Sequence, residues 1–193
     1  MRSVFAFLTV LLLAAGPGSG AWADTPATTS ASAQKARLDK LFSDLKRQRN
    51  DKAAERIAAS IWREWSDSGS ASIDLMMQWS QKAIGTQDFG VALDFLDQVT
   101  TLDPGYAEGW NRRATVHYMM KNYAKSMTDI EQTLRLEPRH FGALSGLAQI
   151  MADTGHRQSA LEAWQRVLAI YPMMRDAQAQ VSALSEELAG EGI

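Results

Sequence analysis

Three prolines divide the C-terminal half of the chain at a constant interval. Pro104, Pro138 and Pro172 lie 34 residues apart, and a helix-favouring stretch precedes each of them. A fixed period of about 20–50 residues is typical of repeat architectures, in which each unit buries its apolar face only against its neighbours. The interval therefore defines three units. They are 73–106, 107–140 and 141–174.

Side chains at equivalent places of the three units agree in size and polarity. The eighth and twentieth places hold only small residues: Ser80, Ala114, Ala148, Ala92, Ser126 and Ala160. Small side chains there allow the two helices of a hairpin to approach closely. Later places in each unit are mostly apolar, and their spacing puts them on one helical face. Asp88 and Asn122 lie between the two helices of their units and are good N-cap residue types.

The flanking segments extend the array at both ends. Residues 37–72 carry apolar side chains at several equivalent places, including Trp62 and Trp65, but lack the closing proline. We interpret 37–72 as a degenerate first repeat that caps the array, because the terminal units of a solenoid are atypical. Residues 175–193 begin with one apolar stripe and are predicted to form a closing helix. The total is about nine helices and no strands.

The middle unit shows the pattern most clearly. Its Trp110, Ala114, Ser126 and Pro138, together with the 34-residue period, resemble the tetratricopeptide repeat (TPR) family. The resemblance covers residues 73–174. It implies an all-α fold, a right-handed α-solenoid of TPR helix hairpins with a C-terminal capping helix.

The middle unit departs from the family at two places. Arg113 stands where the family has an apolar residue, and His117 stands where it has an aromatic one. Arg113 could supply an anion contact, or it could be a partly buried cation paired with a carboxylate such as Asp129. We favour the pairing, because a buried charge requires a partner.

The N-terminal segment has the three parts of a secretory signal peptide. A basic residue precedes the uncharged apolar stretch 4–15, which at twelve residues is too short to span a bilayer. Small residues favour cleavage between Ala23 and Asp24. We therefore expect 1–23 to be removed and 24–36 to form a flexible linker. The mature protein is expected to have no membrane span and to be exported, to the periplasm or beyond.

Composition and motifs exclude several kinds of chemistry. The chain has no cysteine and only three histidines, which leaves no disulfide, thiolate metal site or cysteine nucleophile. A net charge of −2 provides no positive electrostatic field to attract the phosphate backbone of a nucleic acid. Hydrolase, phosphate-loop and dinucleotide motifs are absent, and the Gly142–Gly146 pair is interpreted as close helix packing. We expect no cofactor, no metal, no catalytic residues and no nucleic-acid partner.

The family resemblance also implies where a ligand would lie. In TPR proteins it lies on the concave face, which the first helix of each unit lines. The ligand-contacting places carry over to Arg47, Gln78, Gln81, Asn111, Arg112, Thr115, Tyr118, Gln149 and Asp153. Such amide and guanidinium side chains suit an extended peptide backbone or a single carboxylate. The alternative is that these residues form an ordinary hydrated surface.

The favoured hypothesis is an exported interaction module that binds a segment of another envelope or secreted protein in this concave groove. Two alternatives stay open. One is a small envelope enzyme or carbohydrate-processing accessory that uses an unrecognised pair of carboxylates. The other is a structural scaffold that self-associates through the exposed end of its last helix. The sequence determines neither the partner nor the oligomeric state.

Overall fold

The computed structural model describes residues 26–190, with side chains from Ser32 onward. This part of the chain forms nine α-helices and no strand: α1 (Pro26–Arg47), α2 (Asp51–Ser66), α3 (Ala71–Gly85), α4 (Phe89–Leu102), α5 (Ala107–Met119), α6 (Tyr123–Leu136), α7 (Phe141–Asp153), α8 (Arg157–Ile170) and α9 (Arg175–Gly190). The predicted all-α solenoid of helical hairpins is confirmed. The predicted signal peptide and the cleavage site at Ala23 and Asp24 lie outside the described residues.

Three hairpins form the body of the array. Helix α3 packs on α4, α5 on α6, and α7 on α8. Each pair meets at the two columns of small residues, all six of which are buried. The hydroxyl of Ser126 donates a hydrogen bond to the backbone oxygen of Ala114 at 2.8 Å, across the α5–α6 contact. A larger side chain at these places would separate the helices, which explains the conserved size along the period.

The turns before the second helices differ in how they are capped. The side chain of Asp88 accepts a hydrogen bond from the backbone N–H of Val91, as its residue type predicts. Asn122 occupies the same position before α6, but its side chain makes no capping hydrogen bond. His140 caps α7, because its Nδ1 accepts from the backbone N–H of Ala143 at 3.1 Å.

The N-terminal hairpin α1–α2 differs from the sequence prediction in two ways. Residues 26–36 form the first turns of α1 rather than a linker, since their alanines favour helix once the hairpin packs. The hairpin also does not stack on α3 as a first repeat would. Its buried side chains, such as Leu45 and Ile61, share one core with Leu144 and Trp164 of the third hairpin. The apolar stripe of α2 therefore packs against the α7–α8 hairpin and not against the α3–α4 hairpin that follows it in sequence.

A buried ion pair connects α5 and α6 of the second hairpin, and its arginine also contacts the first hairpin. Arg113 binds Asp129 through two hydrogen bonds, of 2.9 and 2.7 Å, and its third nitrogen contacts Asp97 at 2.8 Å. Asp129 is 3% exposed, so its charge depends on this partner. The favoured interpretation of Arg113, as a cation paired with Asp129, is confirmed.

Helix α9 covers the C-terminal end of the array, next to α8. Its Ala177 and Leu184 are buried against α8, and its outward side chains are mostly polar. Glu187 on α9 also pairs with Arg157 at the start of α8. Such a polar final helix is what the end of a solenoid requires.

Candidate functional site: the concave groove and the helix inside it

Helix α2 crosses the concave groove formed by the first helices of the hairpins. Near its start, Asp51 pairs with Arg175 of α9. In its middle, Trp62 lies over Gly142 at the start of α7. At its C-terminal end, Arg63 and Ser66 border a cavity shared with α3 and α5. The helix thus occupies the half of the groove beside the inter-repeat turns.

Two tryptophans fix α2 in this position. The ring of Trp65 stacks on His140 with centroids 4.0 Å apart and an interplanar angle of 10°. Trp62 approaches the same imidazole edge-on at 5.4 Å and Phe141 at 5.5 Å. Aromatic contacts of this kind add to the area they bury. His140 is therefore held between α2 and the repeat body and is fully buried.

A buried carboxylate lies below this aromatic cluster. Glu108 of α5 is 3% exposed and accepts hydrogen bonds from Asn111 and Arg112, both at 2.9 Å. His140 Nε2 lies 3.3 Å from it, and because Nδ1 already accepts from a backbone N–H, Nε2 carries the proton that points at Glu108. Burial alone raises the pKa of Glu108, but His140 and Arg112 outweigh it and hold the pKa below its ordinary value.

A cavity of about 490 Å³ separates the C-terminal end of α2 from α3 and α5. Three of the residues predicted to contact a ligand line it, namely Gln78, Gln81 and Arg112. Arg63 of α2 also lines the cavity and was not predicted. The hydroxyl of Tyr106, in the same lining, is enclosed and has no hydrogen-bond partner, and burial raises its pKa.

A second polar cluster lies at the other end of the same helices. Asp153, at the end of α7, accepts hydrogen bonds from Gln149 at 2.8 Å, Tyr118 at 3.0 Å and Tyr123 at 3.2 Å. These donors, Gln149 first, hold the pKa of Asp153 below its ordinary value. Burial and the neighbouring carboxylate raise the pKa of Tyr118 to about 12. The cluster presents a fixed negative charge to the open half of the groove.

The remaining residues predicted to contact a ligand lie in different environments. Thr115 is exposed beside Tyr118 and borders a smaller cavity of about 130 Å³ between α5, α6 and α7. Asn111 borders it too, but it is only 8% exposed and is engaged by Glu108. Arg47 lies in the last turn of α1, 73% exposed and paired with Asp44, outside the groove. The prediction that Arg47 faces the groove depended on residues 37–72 stacking as a first repeat, which the structure does not show.

Sequence reasoning missed the groove contacts made by α2. Trp62 and Trp65 were predicted as core residues of a capping repeat, and Glu108 was not singled out. Gly142 was the available signal, because a Cβ at this position would lie 2.6 Å from Cη2 of Trp62. The close packing predicted for Gly142 is present, although the partner is the N-terminal hairpin.

Over residues 26–190, no group of three or more histidine or acidic side chains is arranged to hold a metal ion. None of the helices described is long and apolar enough to cross a membrane. His117 lies within α5, whereas His140 and His156 occupy N-cap positions before α7 and α8. The three imidazoles therefore form no common site.

Stacked helical hairpins with a 34-residue period, small residues at the hairpin contacts and a polar concave face define a TPR protein. Comparison with known proteins agrees. The chain is 56% identical over 161 residues to a TPR repeat-containing protein of Rhizobium etli, an alignment that covers 83% of this chain and 79% of that protein. The chain belongs to the TPR repeat-containing proteins. No family model matches it.

More distant relatives and solved structures match smaller shares of the chain. The Small glutamine-rich tetratricopeptide repeat-containing protein 2 of Saccharomyces cerevisiae is 27% identical over 117 residues, which cover 61% of this chain and 34% of that protein. The first TPR of Spaghetti (RPAP3) bound to the HSP90 peptide SRMEEVD superposes with a TM-score of 0.58 at 19% identity, covering 61% of this chain and 93% of that one. MamA superposes with a TM-score of 0.57 at 14% identity, covering 72% and 81%. These structures share the fold.

Proposed function

We propose that this protein is an exported adaptor without chemistry of its own, which holds a segment of another envelope or secreted protein in the open part of its groove. The cavity between α2, α3 and α5 carries the proposal. Amide side chains from α3 and guanidinium groups from α2 and α5 surround it. Helix α2 forms one wall, so the segment would contact the repeat body and the N-terminal hairpin together.

The side chains define the chemistry of such a segment. Gln78 and Gln81 can each donate and accept, which suits the backbone of an extended peptide. The charges of the lining are mixed, because Arg63 and Arg112 face Asp67 and Asp74 in the same cavity and Arg112 is already paired with Glu108. Asp153 provides a negative charge farther along the groove. The segment that fits best is therefore extended and polar, with a basic group near the end of α7.

A structural neighbour supports peptide binding as the role of this fold. The first TPR of Spaghetti is bound to an HSP90 peptide whose sequence ends in acidic and apolar residues. The groove of the present chain differs, because α2 lies in half of it. A bound segment would therefore be short, or would follow the half lined by Thr115 and Tyr118.

A pair of exposed threonines tests the groove. Thr115 lies on α5 in the groove, and Thr128 lies on α6 outside it. A photo-crosslinking residue at Thr115 should capture a defined polypeptide in cells, and the synthetic segment identified from that adduct should bind the purified protein. Thr115→Arg should weaken this binding by roughly tenfold or more, whereas Thr128→Arg should leave it unchanged. Equal capture from both positions would contradict binding in the groove.

Export is tested separately. The apolar stretch and small residues before Asp24 support removal of 1–23. Mass spectrometry of the protein recovered from fractionated cells should give a chain that begins at Asp24, outside the cytoplasm. An intact N-terminus in the cytosolic fraction would refute export while leaving the binding proposal intact.

A further inference from the structure

The N-terminal end of the repeat array is apolar, and none of the other helices within residues 26–190 covers it. On α3, Leu75 and Trp79 are 42% and 46% exposed, and on α4 Val91 is 41% exposed. Phe95 packs beside Trp79, with ring centroids 5.3 Å apart. A cavity of about 410 Å³ opens between the two helices. We call these four residues the end patch.

Stacking covers the positions equivalent to Leu75 and Phe95 in the later hairpins, whereas the positions equivalent to Val91, which are Lys125 and Ser159, stay exposed. One period after Leu75, Gly109 lies so close to α4 that an added Cβ would be 2.7 Å from Cγ1 of Val99. One period further, Ala143 is 1% exposed. Two periods after Phe95, Ala163 is 3% exposed. Leu75 and Phe95 therefore lie on the surface that a preceding hairpin would occupy, and Val91 lies at its edge beside the same cavity as Phe95.

The hairpin that precedes it in sequence is held elsewhere. Helices α1 and α2 share their core with the third hairpin, so they leave the outer face of α3 uncovered. The other end of the array is different, because the outward residues of α9 include Asp176, Gln178 and Gln180. A solenoid end normally carries polar residues of this kind. An apolar end indicates a contact with another helical surface.

We propose that the end patch is a dimer interface, on which a second copy of this chain stacks its own α3–α4 hairpin. A two-fold axis parallel to the helices would place α3 of each copy over α4 of the other. The apolar side chains would then meet at the centre. Lys82 and Asp88 border the cavity at the same end of the hairpin, so each Lys82 would face an Asp88 of the other copy. An interface of this symmetry must be self-complementary, and the end patch carries both charges.

The size of the face sets the strength of the contact. Two helices of about 14 residues, each roughly 21 Å long and 10 Å wide, offer about 400 Å² per copy. A total of about 800 Å² is below the ~1,200–2,000 Å² of stable interfaces. The dimer should therefore be weak and reversible.

Sedimentation velocity of the chain as isolated from cells, from about 5 to 500 μM, tests the proposal. The average mass should rise from monomer to dimer. Trp79→Glu and Val91→Glu should each raise the midpoint concentration by roughly tenfold or more. Leu136→Glu, at an apolar residue of α6 that is 39% exposed, should not change it. Circular dichroism checks that each variant retains its helices.

The absence of cysteine in the sequence allows a second measurement. Val91→Cys should give a covalent dimer with a short bis-maleimide, whereas Leu136→Cys should not. A chain that stays monomeric over the whole range would overturn the proposal. A dimer insensitive to both glutamate variants would do the same, since it must use another surface. A monomeric Val91→Cys protein whose thiol resists modification would show that a segment of the same chain covers the patch.

Discussion

Gly142→Ala should loosen the packing of α2 against α7. A Cβ at Gly142 would lie 2.6 Å from Cη2 and 2.9 Å from Cζ2 of Trp62, whereas non-bonded carbon atoms in favourable contact lie about 3.5–4.0 Å apart. The indole must therefore move by about 1 Å, and the N-terminal hairpin must follow. Overpacking of this size costs about 1–3 kcal/mol.

The gain in helix propensity offsets only part of that cost. Alanine is favoured over glycine by at most about 1 kcal/mol in a helix interior, and Gly142 is only the second residue of α7. We expect a net loss of about 1–2 kcal/mol, which lowers the melting temperature by about 2–8 °C in a chain of this size. Thermal denaturation followed by circular dichroism measures the shift. Hydrogen exchange should also become faster in α1 and α2.

Gly146→Ala is the matched control. A Cβ at Gly146 would lie 3.4 Å from Cδ1 of Ile130, a side-chain end that can yield by a few tenths of an ångström. This variant should keep or raise the melting temperature, by up to about 4 °C. In a Trp62→Ala background the penalty of Gly142→Ala should disappear. A Gly142→Ala protein as stable as the unmodified chain, or a penalty that persists without Trp62, would refute this account.

Three further substitutions test buried polar groups. Arg113→Ala leaves Asp129 buried without a partner and should cost about 3–5 kcal/mol in urea denaturation, with peptide binding unchanged; binding lost at unchanged stability would reverse the assignment. Burial lowers the pKa of His117, so protonation favours the unfolded state, and the free energy of unfolding should fall as the pH drops below about 6.5. In urea titrations, the free energy of unfolding of His117→Phe should differ less between pH 7.5 and 5.5 than that of the unmodified chain. Tyr106→Phe removes an unpartnered hydroxyl and should leave the melting temperature unchanged or higher; a fall would reveal a missed hydrogen bond.

Much of the repeat body could be predicted from local pattern. The columns of small residues identified the hairpin contacts, and Ser80 and Ala160 are fully buried as expected. The pairing of Arg113 with Asp129 followed from the cost of burying a lone charge. These features depend on periods of three to four residues and on the 34-residue repeat, both of which are visible in one chain.

The path of the N-terminal hairpin could not be predicted in the same way. The apolar stripe of α2 has the same spacing whether it packs on α3 or on α7, so periodicity does not distinguish the two positions. The choice depends on contacts distant in sequence, above all Trp65 on His140 and Trp62 on Gly142. These contacts also explain why Arg47 lies outside the groove.

The sequence alone thus determined the helices and the hairpins of the repeat body, because local spacing and side-chain size fix which surfaces can meet. Only the tertiary structure decided which of these surfaces are covered. Helix α2 fills half of the groove and leaves the outer face of α3 bare, because apolar burial is non-directional and favours whichever complementary surface fits best.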